Sequence, residues 1–208
     1  VYLTYGDGYY HLLHLDLHGA LLSYEQYKTF TQTYNSSQLL YRNSGYAQKK
    51  IEEYEGLKAF LFFNGTEGEF ANPVSAEDLA NLFKMRQIPI VILNACQSGK
   101  QVGAAETSLG SYMLKHGVQL VVAMGYSVTV SAARILMSTL YQELLDGRNP
   151  DMAILRARLE LYNDKARQAA FGQEIKLEDW LLPVIYQNRA PDFDSSGFQN
   201  YVAPDLAP

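Results

Sequence analysis

Ile88-Pro89-Ile90-Val91-Ile92-Leu93-Asn94-Ala95 runs directly into Cys96-Gln97-Ser98-Gly99, so an apolar, largely β-branched stretch gives way to a small polar turn. A run this short and this uniformly apolar reads as a strand buried on both faces, the signature of a central strand in a parallel sheet. A second run, Tyr10-His11-Leu12-Leu13-His14-Leu15-Asp16-Leu17, closes on His18-Gly19. Each run therefore places a reactive side chain at its exit. Open parallel sheets bind ligands at the carboxyl ends of their strands. A thiol and an imidazole at two such exits are what a cysteine nucleophile and its base require.

Working outward from these runs, the chain alternates strands and helices. Leu57–Phe63 is a short apolar run between Gly56 and Asn64-Gly65 and reads as another strand. Ser75-Ala76-Glu77-Asp78 opens a helix, with Ser75 as cap and the acids at the positive end. Ser108–His116 is a helix that Gly117 ends, and Gln119–Met124 is a further buried strand. Ser131–Leu145 and Asp151–Asn163 read as amphipathic helices, the second just after Pro150, and Pro183–Tyr186 as a last strand. Such alternation predicts an α/β/α sandwich with a mainly parallel sheet. The expected organisation is one domain over residues 1–188, with 20–55 as an irregular insertion rich in Tyr, Thr, Gln, Ser and Asn. Residues 189–208, with Pro191, Pro204 and Pro208, are expected to form an extended or mobile tail. The opening on Val1 rather than Met, on an expected strand, reads as a fragment cut from a longer protein.

Composition narrows the function classes. The 208 residues carry 17 basic and 22 acidic side chains, a net charge of -5, with Lys49-Lys50 the only adjacent basic pair. No basic footprint for nucleic acid stands out. No apolar stretch approaches the roughly 20 residues that cross a bilayer, and no signal-peptide pattern is visible at the start. With one cysteine there is no internal disulfide, which fits a reducing compartment, so a cytoplasmic location away from membranes is expected. A metal reading of His11, His14 and His18 fails on spacing, because alternation turns His11 away from the other two. Gly99-Lys100 lacks the earlier glycine and the Ser/Thr of a phosphate loop, and Gly6-Asp7-Gly8 precedes its strand rather than following it. No metal or organic cofactor is expected.

A lone cysteine is more often a small buried hydrophobe than a nucleophile. The polar turn after Cys96, and its place at a strand end, favour the reactive reading. A lone histidine is usually structural too. Gly19 after His18 favours a sharp turn in which the glycine N–H points at a bound carbonyl oxygen. Asp16, two residues before His18, shares its face by strand alternation and either orients the imidazole or lines a pocket.

A strand ending His18-Gly19, followed by a strand ending Asn94-Ala95-Cys96-Gln97-Ser98-Gly99, resembles the caspase-like cysteine peptidases, specifically the CHAT domain. Asn72-Pro73-Val74-Ser75-Ala76-Glu77-Asp78-Leu79, Ser108-Leu109-Gly110 and Val121-Val122-Ala123-Met124-Gly125-Tyr126-Ser127-Val128 also look like CHAT segments, in CHAT order. The resemblance covers about Tyr10 to Gln187. It implies a caspase–haemoglobinase fold and a dyad in which Cys96 attacks a peptide carbonyl while His18 moves the proton. The backbone N–H groups of Gly19 and Cys96 would then hold the oxyanion, with Asp16, Asn94, Gln97, Tyr126 and Ser127 lining the substrate site. It implies a protein or peptide substrate, and an upstream repeat or sensor module of the kind that precedes CHAT domains in bacterial, often defence-related proteins. One position departs: relatives that cut after Arg or Lys often carry an acid where this chain has Asn94. Two other readings stand beside the peptidase: a catalytically silent CHAT-like scaffold, and a small-substrate hydrolase or acyltransferase using the same dyad.

Overall fold

A computed structural model describes residues 7–34, 51–64, 71–95, 109–126, 128–168 and 172–188. In chain order they form β1 (Leu12–Asp16), β2 (His18–Leu22), α1 (Tyr24–Tyr34), β3 (Lys58–Asn64), β4 (Ala71–Ser75), α2 (Ala76–Met85), β5 (Ile90–Asn94), α3 (Leu109–Lys115) and β6 (Leu120–Met124). There follow α4 (Val130–Leu145), α5 (Pro150–Asn163), β7 (Ala166–Gln168), β8 (Glu174–Lys176), a 3-10 turn at Asp179–Leu181, and β9 (Pro183–Gln187). These elements divide into two compact units.

The first unit holds β1 to β6, α1 to α3 and β9. Its central sheet has the order β1-β5-β6-β9, with the first three strands parallel and β9 antiparallel to β6. The fold is thus mixed α/β around a mainly parallel sheet, as the apolar runs predict. β5 and β6 are buried almost throughout. Val91, Leu93, Val121 and Ala123 join Leu79, Phe83, Leu109 and Met113 of α2 and α3 in one core. Ile90, Ile92, Leu120 and Val122, on the opposite face by alternation, are buried as well. That two-sided burial explains why these strands carry no polar alternation. Gly110 of α3 lies so close beneath the Tyr186 ring of β9 that a Cβ there would stand 2.6 Å from it.

Capping sets the helix positions. Ser75 Oγ accepts from the Asp78 N–H at 3.1 Å and donates to Asp78 Oδ2 at 2.8 Å, which starts α2 where the sequence placed it. Gly117, at φ 102°, ends the helix that becomes α3.

Residues 20–34 correct the expected irregular insertion. They complete β2 and form α1, and β2, β3 and β4 make a separate antiparallel sheet. Leu57–Phe63 is therefore a strand, but not one of the central sheet. α1 starts with a capping box: Ser23 N–H donates to Gln26 Oε1 at 2.9 Å, and Gln26 N–H to Ser23 Oγ at 3.3 Å. Its aromatic face then meets β3, with Tyr27 stacked on Phe60 at 5.1 Å and Phe30 edge-on to Phe62 at 5.1 Å. Tyr24 packs edge-on to Tyr54, whose hydroxyl donates to the Leu22 carbonyl at 2.9 Å. Burial pushes the Tyr54 hydroxyl up to about 12, so it stays a donor at any physiological pH.

The second unit holds α4, α5, the β7–β8 hairpin and the 3-10 turn. Asn149 caps α5, accepting from the Met152 N–H at 2.9 Å, and Pro150 takes the first turn, where its missing N–H costs nothing. Arg167 of β7 is wholly buried and pairs with Asp179 through Nε–Oδ2 at 2.7 Å and Nη2–Oδ1 at 2.8 Å. The calls on residues 35–50 and on the tail 189–208 fall outside the described residues.

Candidate active site

β1 lies directly beside β5, parallel and in register, with Leu15 opposite Leu93 and Asp16 opposite Asn94. The two strands therefore end level, at one edge of the sheet. β6 continues the row on the far side of β5, Leu93 pairing with Ala123. Three parallel strands thus deliver their exits side by side: the Asp16-Leu17-His18 segment, the Asn94 end of β5, and Met124-Gly125-Tyr126.

At this edge Asp16 and Asn94 are in direct contact, Asn94 Nδ2 donating to Asp16 Oδ1 at 3.0 Å. The direction of that bond is fixed by chemistry, because an ionised carboxylate only accepts. Among the described residues Asp16 thus has an internal donor, and it comes from the neighbouring strand, not from His18. Both members are at least partly open to solvent. Below Asp16 on β1, His14 is half-buried opposite Ile92. Burial holds its imidazole below the ordinary 6.5, with Asp16 opposing the shift, so His14 is neutral at neutral pH.

His18 is placed differently from the sequence expectation. β1 stops at Asp16, and His18 begins β2, where it pairs antiparallel with Phe62. The chain steps from one sheet to the other at Leu17. A single strand alternation therefore does not carry across from Asp16 to His18. The sharp turn expected at Gly19 is also corrected: Gly19 lies inside β2, opposite Leu61, with no positive φ. His18 itself is exposed. Tyr126 is exposed just past β6, where the Gly125 N–H donates to the Leu182 carbonyl at 2.9 Å. Cys96, Gln97 and Ser127 lie outside the described residues.

The model of the CHAT domain family matches residues 8–199. This chain belongs to the CHAT family. CHAT is a caspase-like cysteine peptidase domain, and the mixed α/β fold with its mainly parallel central sheet is consistent with the caspase-like fold of that family. No curated protein matches the sequence. In this CHAT domain, among the described residues, no group of three or more His, Cys, Asp or Glu is placed to hold a metal ion. Nor, among them, is any helix long and apolar enough to cross a membrane. Sequence reasoning missed α1, although Ser23-Tyr24-Glu25-Gln26 is a readable capping box and Tyr24, Tyr27 and Phe30 recur at helical spacing.

Proposed function

We propose that this CHAT domain is a cysteine endopeptidase, with Cys96 as nucleophile and His18 as its general base and acid. The observation that carries the reading is the parallel, in-register pairing of β1 with β5, Asp16 opposite Asn94. His18 follows Asp16 by two residues and Cys96 follows Asn94 by two. Neighbouring strand ends at Asp16 and Asn94 support such proximity, and the expected sulfur-to-imidazole separation is roughly 4–7 Å, which suits a dyad before substrate arrives.

In the proposed reaction His18 takes the Cys96 thiol proton as the sulfur attacks the scissile carbonyl. The tetrahedral oxyanion is held by the backbone N–H groups of Gly19 and Cys96, preorganised donors of the kind worth about 2.7–4 kcal/mol each. Collapse breaks the C–N bond, and His18 gives its proton to the leaving amine. Water, deprotonated by His18, then hydrolyses the thioester and restores the thiol. Asp16, Asn94, Gln97, Tyr126 and Ser127 line the substrate side. The side chains and backbone supply every group in this sequence, so it calls on no metal or organic cofactor. The partners are a protein or peptide substrate in the cytoplasm and an upstream repeat or sensor module that controls access to the site.

The test is mass spectrometry of the chain treated with a covalent peptide-type inhibitor, alongside cleavage assays. We expect an adduct on Cys96, and loss of cleavage in both Cys96→Ala and His18→Ala. The double variant should be no worse than either single one, since the pair acts as a unit. Normal turnover by Cys96→Ala ends the mechanism. An unmodified Cys96 with no cleavage by the wild type identifies a scaffold instead.

A further inference from the structure

Leu93 and Ala95 belong to the core that the central sheet forms with α2 and α3. Strand alternation turns Asn94 to the other face of the sheet, and its in-register partner Asp16 comes off that same face. Asn94 Nδ2 donates to Asp16 Oδ1 at 3.0 Å. The bond fixes the planar amide: one Nδ2 hydrogen is spent on the carboxylate, and Oδ1 is turned away from it, since two acceptors have nothing to share. Among the described residues no other hydrogen bond engages the Asn94 side chain. Asn94 is half-buried and Asp16 exposed, so the amide stands at the open rim of the sheet. One acceptor, Oδ1, and one donor hydrogen on Nδ2 are left for a ligand.

Resting on the peptidase reading above, we propose that Asn94, oriented by Asp16, selects a P1 side chain that ends in a primary carboxamide, glutamine or asparagine. A second carboxamide laid in the same plane and reversed meets both remaining sites: its N–H donates to Oδ1, and its oxygen accepts from Nδ2. Every other class of side chain leaves something unmet. An apolar one covers Oδ1 and the N–H without pairing either. A carboxylate sets acceptor against acceptor at Oδ1 and brings a like charge to Asp16. Lys and Arg bring donors only, so nothing accepts from Nδ2. Asp16 adds little as their ion-pair partner, because it is exposed and already bonded. Asp16 is thus a positioning residue, which decides the end of the Asn94 amide that faces outward. An aspartate in place of Asn94 would offer acceptors only and reverse the selection toward basic side chains.

The test offers the full chain a set of peptidyl ketone electrophiles of one sequence, with Gln, Met, Glu or Lys at P1, and reads the rate of Cys96 labelling by mass spectrometry. The Gln probe should label about tenfold faster than Met, which has a similar length, and at least about thirtyfold faster than Glu, as two neutral hydrogen bonds at a half-open site imply. It should lead Lys by about threefold. In Asn94→Leu the Gln-to-Met ratio should fall to within about twofold of one, whatever the absolute rate. In Asn94→Asp the Lys probe should become the fastest. Labelling of Cys96 at equal rates by all four probes overturns the proposal and leaves the peptidase reading intact, as does a lead by any probe other than Gln in the wild type. A Gln preference that survives Asn94→Leu takes the selection away from Asn94 and overturns it too. Failure of every probe to label Cys96 overturns the peptidase reading, and the proposal with it.

Discussion

Asp16 carries its charge at the rim of the parallel sheet, and what satisfies that charge decides which substrates the rim favours. A buried, unpaired carboxylate would demand a basic substrate side chain to offset its desolvation. Asp16 is exposed, and it already accepts from Asn94 Nδ2 at 3.0 Å. Neither condition for that demand is met. The bond instead holds the Asn94 amide in one orientation at the end of β5, two residues before Cys96. Asp16→Asn should therefore slow cleavage of peptides with basic and uncharged P1 residues alike, by about threefold to tenfold in kcat/KM, because the new amide oxygen can still accept from Asn94 Nδ2 and only the charge assistance of that bond is lost. Paired peptides that differ only at P1 check this, and a drop confined to the basic peptide would show Asp16 to be the specificity charge. That Asp16 and Asn94 both stand at strand ends was legible in the sequence. That they bond to each other was not, because it depends on the register between strands distant in sequence, which a one-residue slip would reverse. The place of Gly19 was illegible for a related reason: a glycine favours a sharp turn, yet an extended strand tolerates it at modest cost when its neighbours pair.

Helix ends show at the element scale what a sequence reveals and what it hides. α2, α3 and α4 all close with the same pair of backbone bonds. In α3 the Val118 N–H reaches the Met113 carbonyl at 3.1 Å and the Gly117 N–H reaches Leu114 at 3.1 Å. In α4 Arg148 reaches Glu143 at 3.0 Å and Gly147 reaches Leu144 at 3.1 Å. In α2 Ile88 reaches Phe83 at 3.0 Å and Gln87 reaches Lys84 at 3.1 Å. The motif requires a left-handed residue, and glycine supplies it at φ 102° in Gly117 and 83° in Gly147. At the end of α2 Gln87 adopts φ 53° with a full side chain, a strained choice that leaves no glycine to mark the boundary. Gln87→Gly should relieve that strain and raise stability by about 0.5–1 kcal/mol, the residual after the extra freedom glycine has in the unfolded chain. Urea denaturation measures it, and a loss of stability would mean that the Gln87 side chain holds α2 in place. The capping box of α1 makes the converse point. Ser23 and Gln26 were in plain view, but the polar, tyrosine-rich composition around them outweighed the local signal.

At the scale of the whole molecule, the central strands were legible because burial on both faces leaves an unbroken apolar run, as in Ile90–Leu93 and Leu120–Met124. The second unit was legible only in its helices. Its hairpin β7–β8 is organised around a charge, and no hydropathy pattern marks a buried arginine. Arg167 is fully enclosed and gives Nε and Nη2 to the two oxygens of Asp179, while its Nη1 donates to the Ala166 carbonyl at 2.7 Å. This fork ties β7 to the 3-10 turn across twelve residues of chain. Such a pair contributes little over a well-packed apolar substitute, because both charges give up their hydration. Breaking it is another matter, since the surviving charge stays buried without its partner. Arg167→Met should therefore cost about 3–5 kcal/mol, whereas Arg167→Met with Asp179→Leu should recover most of that loss. Trp180, the single tryptophan of the chain, follows Asp179 directly and holds its indole N–H on Glu178 at 2.8 Å. Its emission during urea unfolding thus reports this unit and no other tryptophan. If Arg167→Met shifts that transition by less than about 1 kcal/mol, water reaches Asp179 and the pair is not the enclosed fork it is drawn to be. A large shift in the single variant that the double variant reverses would establish that the charge stands there to fix the hairpin against the turn, not to add stability.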